Sequence, residues 1–211
     1  MSLEVEVGPI ATRADQRRQE IADAAASLFD RSGYATASMG EIAQAVGLAK
    51  PTLYHYFANK DEILFTIHEQ FITTLSARLD AREDRPTSPS DRLRAVIEDV
   101  FTIIDTHQGH VRVFFEHYRE LPLEKQQAIR AKRDAYEARV HAVVLDGMAM
   151  GEFRAVEPRF VVLALFGMCN WAYQWYRPGG PLSASDLAER FSSYLIDGLA
   201  QGEVPDLPRG N

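Results

Sequence analysis

The sequence predicts an all-α fold of about nine helices. Apolar residues recur at the three- and four-residue spacing of an amphipathic helix through most of the 211 residues. No segment shows the convincing apolar–polar alternation of a β-strand. Capping residues, glycines and prolines separate the helical stretches from one another. These three observations together indicate helices joined by short turns, without a sheet.

Length and composition are those of an ordinary globular protein and allow one or two domains. The net charge of −7 argues mildly against a general polyanion binder, so any surface for nucleic acid must be local. Cys169 is the only cysteine, which excludes an intramolecular disulfide and a multi-cysteine metal site. No apolar run approaches the roughly 18 residues that cross a bilayer, and the first residues do not form an export signal. We therefore expect a cytoplasmic protein without a membrane partner.

Start and stop signals define the first two helices. Apolar residues mark one face of a helix over about residues 13–30, and Gly33 supplies a left-handed stop. Ser38 and Glu41 then form a capping box, the pattern in which two side chains satisfy the first amides of a helix. The capping box opens a short second helix that reaches about residue 46.

A turn and a proline define the third helix. Gly47 and Leu48 form a turn of a few residues, and the third helix begins at Lys50 or Pro51 and ends near residue 57. Proline suits the start of a helix because the amide hydrogen that it lacks would have no helical partner there. The run 59–62 is a second capping-box pattern and begins a fourth helix, which extends to about residue 82.

Prolines and serines at residues 85–90 separate this region from the rest of the chain. Periodicity predicts further helices at about 90–106, 111–120, 122–150 and 160–175. Ser183 and Asp186 open a final helix after the glycine- and proline-rich run 177–181.

Residues 39–57 have the form of a helix-turn-helix, whose second helix reaches base edges in the DNA major groove. No acidic residue occurs between Gly47 and Lys60, so the net charge hides a local basic surface here. Leu53 and Phe57 are expected to hold the second helix against its neighbours. Hydroxyl, imidazole and ammonium groups suit contacts with bases and phosphates, and helix N-termini attract phosphate. The predicted DNA-binding residues are accordingly Lys50, Thr52, Tyr54, His55, Tyr56, Lys60 and Ser38. The alternative is a buried helical hairpin whose aromatic residues all belong to the core.

The stretch from residue 18 to about residue 68 resembles the N-terminal domain of the tetracycline-repressor (TetR) family of bacterial transcriptional regulators. The resemblance rests on the run Thr52-Leu53-Tyr54-His55-Tyr56-Phe57 with a lysine three residues later, and on Ile21, Ala24, Ala25, Leu28, Phe29, Gly33, Tyr34, Thr36, Ile42, Ala43, Ala45, Gly47 and Asp61-Glu62-Ile63-Leu64. In the family's pattern the positions that match Lys50, Thr52, Tyr54, Tyr56 and Lys60 face DNA. This chain departs from the pattern at Ala49-Lys50-Pro51, where the family often has serine and then lysine-glycine. The departure concerns one phosphate contact and leaves the expected fold unchanged.

The resemblance implies a helix-turn-helix DNA-binding domain at residues 13–60 and a helical regulatory, ligand-binding and dimerisation domain at residues 61–202. A homodimer fits a palindromic DNA operator whose half-sites lie about one helical turn (~34–36 Å) apart. Two apolar stripes independently favour a four-helix dimer interface. The predicted interface residues are Phe160, Leu163, Gly167, Trp175, Phe191, Tyr194 and Leu195. The alternative is that both stripes fill the core of one monomer.

The run 170–183, preceded by Gly151-Glu152-Phe153, is similar to a TetR subgroup that responds to acyl-CoA thioesters. The expected small-molecule effector is therefore an acyl-CoA or its organic acid, which needs an apolar tunnel and cations near its mouth. The residues predicted to bind it are Phe101, Phe114, Phe115, Tyr118, Met148, Trp171 and Arg177. Each of these side chains has an alternative place in the core or on the surface.

Two other classes of protein compete with a ligand-responsive DNA-binding regulator, for which no cofactor is expected. His107, His110 and His117 offer metal ligands to an enzyme, but the spacing lacks an HExxH pattern and no cysteine supports a site. The alternative for these histidines is a polar helix end. A helical protein–protein adaptor that has lost DNA binding is the third class, and it predicts no affinity for any duplex.

Overall fold

The computed structural model of the protein describes residues 12–83 and 87–200. In this part of the chain every regular element is helical, and extended pairing is limited to an isolated antiparallel bridge between Phe153 and Ala200. The predicted all-α fold is confirmed. None of the described helices is long and apolar enough to cross a membrane.

The helices follow the predicted order, with small shifts at their ends. The described residues form α1 (Arg13–Ser32), α2 (Met39–Ala45), α3 (Lys50–Tyr56), α4 (Lys60–Asp80), α5 (Pro89–Thr106), α6 (Gln108–Glu116), α7 (Leu123–Ala149), α8 (Pro158–Asn170), α9 (Ala172–Trp175) and α10 (Ala184–Leu199). A single 3-10 turn, Tyr118–Glu120, precedes α7 and replaces the end of the helix expected at 111–120.

The helix expected over residues 160–175 is interrupted, which separates α8 from α9. Trp171 forms the junction and is 63% exposed, whereas Ala172 and Tyr173 beside it are buried. Amphipathic spacing continues across the junction, so periodicity alone predicted one helix.

The described residues divide into two compact units, of which the first comprises residues 12–71 and 112–129. Its core is built from α1 to α3 and the first part of α4. Phe29, Ile42, Leu53 and Phe57 are all at most 1% exposed, and Ile67 of α4 is fully buried. Phe71 packs on Phe114 with ring centroids 4.3 Å apart.

The second unit comprises the described residues 72–83, 87–111 and 130–200. In it α5 packs along α10 and also against α8. Phe101 of α5 lies with its ring centroid 5.3 Å from that of Phe191 on α10. The carboxylate of Asp99, 1% exposed, receives a hydrogen bond of 2.8 Å from Arg82. This pairing compensates a buried charge on an otherwise apolar helix face.

The predicted domain limits, at residues 60/61 and 202, stay predictions. Helices α4, α6 and α7 each contribute residues to both units. The limit at residue 202 lies outside the described residues.

Candidate nucleic-acid interface

The start of α2 is fixed by the predicted capping box. The Ser38 hydroxyl accepts from the amide of Glu41 at 3.3 Å, and the Glu41 carboxylate accepts from the Ser38 amide at 2.9 Å. The Ser38 hydroxyl also donates to the Glu41 carboxylate at 2.8 Å, and this bond, followed by the one from the Ser38 amide, holds the pKa of Glu41 below its ordinary value of 4.5. Ser38 is exposed, so its position is compatible with the predicted phosphate contact.

The turn between α2 and α3 depends on a glycine. Gly47 has a φ of +66°, in the left-handed region that side chains disfavour. The amide of Leu48 donates to the carbonyl of Ala43 at 2.8 Å, which closes the turn. This turn directs the chain from α2 into α3 within a few residues.

One face of α3 is buried and the other is open. Leu53 is fully buried and Phe57, directly after the helix, is 1% exposed, as the sequence predicted. Tyr54 is 45% exposed, and Lys50 and His55 are exposed as well. The alternative in which all aromatic residues here belong to the core is therefore wrong. The open face carries an ammonium, a phenol and an imidazole, which are the groups that read bases and phosphates.

Thr52 and Tyr56 lie at the border of the open face of α3, because both are half-buried. Their hydroxyl groups suit contacts that approach from the side of the helix. The predicted contacts of both residues with DNA stay predictions.

Two arginines of α1 hold the ends of the two short helices. Arg17 donates to the carbonyl of Val46, just after α2, at 2.8 Å. Arg18 donates to the carbonyl of Tyr56, the last residue of α3, and its guanidinium lies 4.2 Å from the centroid of the Phe57 ring. Helix C-termini expose carbonyls without helical partners, and these arginines satisfy them. The sequence reasoning missed both contacts because the paired residues are 29 and 38 positions apart.

Lys60, predicted to contact DNA, lies at the first position of α4 and is half-buried. Its Nζ donates to the carbonyls of Tyr34 at 2.6 Å, Ala35 at 3.3 Å and Ala37 at 2.8 Å. The structure thus gives this ammonium partners inside the first unit, and its contact with DNA stays a prediction.

All seven predicted DNA-binding residues lie in the first unit, on α3 and at the starts of α2 and α4. A glycine turn joins two short helices there, and the second helix exposes polar and aromatic groups over an apolar underside. This arrangement defines a helix-turn-helix protein of the DNA-binding class.

Comparison with known proteins agrees with that class. The family described as "Bacterial regulatory proteins, tetR family" matches residues 21–67, and "Tetracyclin repressor-like, C-terminal domain" matches residues 86–199. The HTH-type transcriptional repressor KstR2 of Mycobacterium tuberculosis is 26% identical over 197 residues, which are 92% of this chain and 98% of KstR2.

Two solved structures of TetR-type regulators are also similar. The TetR family regulator PfmR from Thermus thermophilus is 30% identical with a TM-score of 0.79, and the match covers 86% of this chain and 99% of PfmR. AibR, solved in complex with isovaleryl coenzyme A and operator DNA, is 26% identical with a TM-score of 0.76, over 85% of this chain and 98% of AibR. The chain belongs to the TetR family of transcriptional regulators and is not an enzyme.

The residues predicted to bind an effector fall into both units. Phe114, Phe115 and Tyr118 belong to the first unit, whereas Phe101, Met148, Trp171 and Arg177 belong to the second. Trp171 and Arg177 are exposed, and Trp171 follows the exposed residues Leu163 and Gly167 of α8 at four-residue spacing. The predicted effector contacts of both residues stay predictions.

The second unit contains a cleft of about 310 Å³ that sequence reasoning did not find. It lies beside the end of α4, the start of α5 and the middle of α7, and none of the predicted effector residues lines it. Its lining residues are Leu79, Arg82, Glu83, Thr87, Asp91, Arg92, Ala95, Arg139, Ala142 and Val143.

The predicted dimer stripes are largely open in the single chain. Phe160 is 68% exposed, Leu163 53%, Trp175 44% and Tyr194 68%. Gly167 is exposed too, while Phe191 and Leu195 are half-buried. For the four large exposed residues, the alternative that the stripes fill one monomer's core is wrong.

The histidines proposed for a metal enzyme do not gather into a ligand set. His107 and His110 belong to the second unit, with ring centroids 5.7 Å apart, and His117 belongs to the first. The described residues contain no group of three or more His, Cys, Asp or Glu side chains suited to a metal ion. Family membership overturns the enzyme alternative.

Proposed function

We propose that the protein is a homodimeric repressor that binds a palindromic DNA operator in the cytoplasm and is released by a small hydrophobic effector such as an acyl-CoA. This proposal rests on α3, whose polar face is open to solvent and whose position is held by the buried residues Leu53 and Phe57. A single recognition helix makes too few contacts for tight specific binding, so two copies are needed on neighbouring half-sites.

We assign each predicted DNA-binding side chain to base edges or to phosphates according to its position on the helices. Lys50 and Tyr54, exposed on α3, are assigned to base edges and neighbouring phosphates, with His55 beside them. Thr52 and Tyr56 contact the duplex from the border of the face, and Ser38 contacts a phosphate at the start of α2. These assignments follow from exposure and side-chain chemistry.

The dimer forms through the exposed stripes of α8 and α10. Large apolar side chains at 53–68% exposure, such as Leu163 and Phe160, are costly to leave in water. Tyr194 supplies the corresponding group on α10. Pairing α8 and α10 with the same helices of a second copy buries both stripes in a four-helix arrangement.

The effector class is supported by two similarities. AibR was solved with isovaleryl coenzyme A and operator DNA. The run 170–183 of this chain is similar to the corresponding run of the acyl-CoA-responsive subgroup. Helix α4 contributes residues to both units, so we assign to it the transmission of the effector signal. Release of the operator requires that the effector bind more tightly to the state that cannot bind DNA.

Selection of bound duplexes from a random or genomic library tests the whole proposal. The purified protein is used at fixed salt, with and without a panel of acyl-CoAs, because affinity for DNA depends strongly on salt. We expect one palindrome to be enriched, to be lost with Tyr54→Ala, and to be released by one thioester. Enrichment that no thioester disturbs would remove the effector class and keep the DNA-binding regulator. No enrichment from a folded dimer would instead favour the adaptor that has lost DNA binding.

A further inference from the structure

Lys60 occupies a set of backbone acceptors that matches the chemistry of its ammonium group. Three carbonyls converge on Nζ, from Tyr34 at 2.6 Å, Ala37 at 2.8 Å and Ala35 at 3.3 Å. A lysine ammonium has three N–H donors and no acceptor. Three carbonyl partners therefore use all of its donors, and none is left for a DNA phosphate.

The aromatic ring of Tyr34 completes the surroundings of the ammonium. Nζ lies 4.3 Å from the centroid of this ring, at the distance of a cation–π interaction. The Tyr34 hydroxyl donates to the carboxylate of Asp61, the residue after Lys60. Tyr34 is 7% exposed and packs edge-on against Phe29 of α1, with ring centroids 5.1 Å apart. Two polar contacts thus join Tyr34 to the first turn of α4, one through its carbonyl and one through its hydroxyl. Its ring packs against α1.

The three carbonyls belong to the segment that leads directly into α2. Ala37, the last of the three acceptors, precedes the N-cap residue Ser38. The start of α4 is itself fixed, because the Asn59 side chain accepts from the amide of Glu62 at 2.9 Å and the Glu62 carboxylate accepts from the Ala58 amide at 2.7 Å. Lys60 is therefore linked through these carbonyls to the residue before the N-cap of α2, and α2 leads through the Gly47 turn into α3.

We propose that Lys60 and Tyr34 form a clamp that positions the helix-turn-helix on α4, so that Lys60 supports operator binding through the segment before α2 and not through a phosphate. Lys60 and Tyr34 are positioning residues in this arrangement. The clamp goes beyond the proposed function and needs only that α3 bind DNA.

Dependence of affinity on salt separates the clamp from a direct contact. Removing a lysine that neutralises a phosphate reduces the slope of log K against log[salt] by about 0.9 for each subunit. Lys60→Met keeps the stem of the side chain and removes the ammonium. We expect this variant to bind the operator at least about tenfold more weakly, the size of one lost base contact, with an unchanged slope. Lys50→Ala is the matched comparison, and its slope is expected to fall.

Tyr34→Phe tests the clamp at a side chain that is only 7% exposed and so has little surface to offer DNA. The change keeps the ring beside the ammonium and removes only the hydroxyl that binds Asp61. We expect weaker operator binding, and a double variant with Lys60→Met that loses less than the sum of the single losses, because the two residues act through one contact set. Circular dichroism at the binding temperature must show that every variant is folded.

Each outcome is decisive for the clamp. A slope that falls with Lys60→Met as it does with Lys50→Ala would show a direct phosphate contact and overturn the proposal. Unchanged affinity of folded Lys60→Met would leave the lysine with a role in stability alone and would also overturn it. Failure of the wild-type protein to bind any duplex would overturn the DNA-binding function together with the clamp.

Discussion

Neighbouring residues of α3 have different tasks because the helix turns about 100° at each residue. Leu53 points into the core and is fully buried, whereas Tyr54 is 45% exposed. Apolar burial at Leu53 stabilises the fold, and a polar aromatic group at Tyr54 is available to a partner. Within one turn, Leu53 thus serves the stability of the fold, and Tyr54 is the residue for which we propose DNA recognition.

Alanine substitutions at these two positions should affect different properties, stability at Leu53 and DNA binding at Tyr54. We expect Leu53→Ala to reduce the free energy of unfolding by about 2–5 kcal/mol, because it removes buried methyl groups and leaves a cavity. Tyr54→Ala should change it by less than about 0.5 kcal/mol and abolish selection of the operator. Chemical denaturation and a DNA-binding titration measure the two quantities. Equal loss of stability in both variants would contradict the burial pattern.

Glu41 should make stability depend on pH. Its hydrogen bonds with Ser38 lower the pKa in the folded state, so the unfolded chain binds a proton first as the pH falls. The contribution of this carboxylate to the free energy of unfolding is thus complete above its ordinary pKa of 4.5. It is lost as the pH falls through the lower pKa of the folded state. We expect Glu41→Gln, which keeps a capping side chain, to lose less stability than the wild type over this acidic range. Parallel acid-denaturation curves for both proteins would expose any failure of this expectation.

At the scale of the elements, the helix-turn-helix combines a capped start, a glycine turn and two arginine-held ends. The capping box fixes where α2 begins, and Gly47 fixes where the chain leaves it. Arg17 and Arg18 of α1 then satisfy carbonyls at the ends of α2 and α3. Short helices are weak alone, so these contacts with α1 determine their positions.

Two glycines in this region should respond oppositely to alanine. Gly47 has a φ of +66° with open space around its Cβ position, so Gly47→Ala should cost about 1–2 kcal/mol through backbone strain alone. Gly40 lies inside α2, and an added Cβ there would meet the Ser38 hydroxyl at an ordinary 3.7 Å. Gly40→Ala should therefore stabilise by about 0.4–1 kcal/mol. Thermal and denaturant unfolding of the two variants provide the comparison, and a stabilising Gly47→Ala would refute the assigned turn.

At the scale of the whole molecule, the exposed stripes of α8 and α10 are the main feature that one chain leaves incomplete. Leu163 and Phe160 lie open on α8, and Tyr194 lies open on α10. A second copy is the proposed partner because a two-fold dimer presents two recognition helices to a palindromic site. Dimerisation and operator binding should consequently be lost together.

A charge placed in the α8 stripe should produce a folded monomer. Leu163 is 53% exposed, so Leu163→Glu costs little in one chain but puts two carboxylates into the proposed interface. We expect light scattering to report a monomer and operator affinity to fall by at least about a hundredfold, since one half-site contact is lost. Leu145→Glu is the control, because Leu145 is 46% exposed on α7 outside the stripes. A dimeric Leu163→Glu with normal affinity would place the interface elsewhere.

Local chemistry predicted most of the elements and the open face of α3. The Ser38–Glu41 capping box, the Gly47 turn, and the burial of Leu53 and Phe57 follow from residues at most a few positions apart. Such signals act within one or two turns of a helix and need no knowledge of the rest of the chain.

Contacts between distant residues were decided by the tertiary structure alone. The side chain of Lys60 has the chemistry of a phosphate-binding group. Three carbonyls 23 to 26 positions away nevertheless accept hydrogen bonds from its ammonium. Arg17 and Arg18 are charged residues of α1, yet the carbonyls to which they donate lie 29 and 38 positions away along the chain. Sequence by itself determined which groups this protein carries and which helices hold them. Folding decided which donors are already used, because a hydrogen bond depends on distance in space and not on separation along the chain.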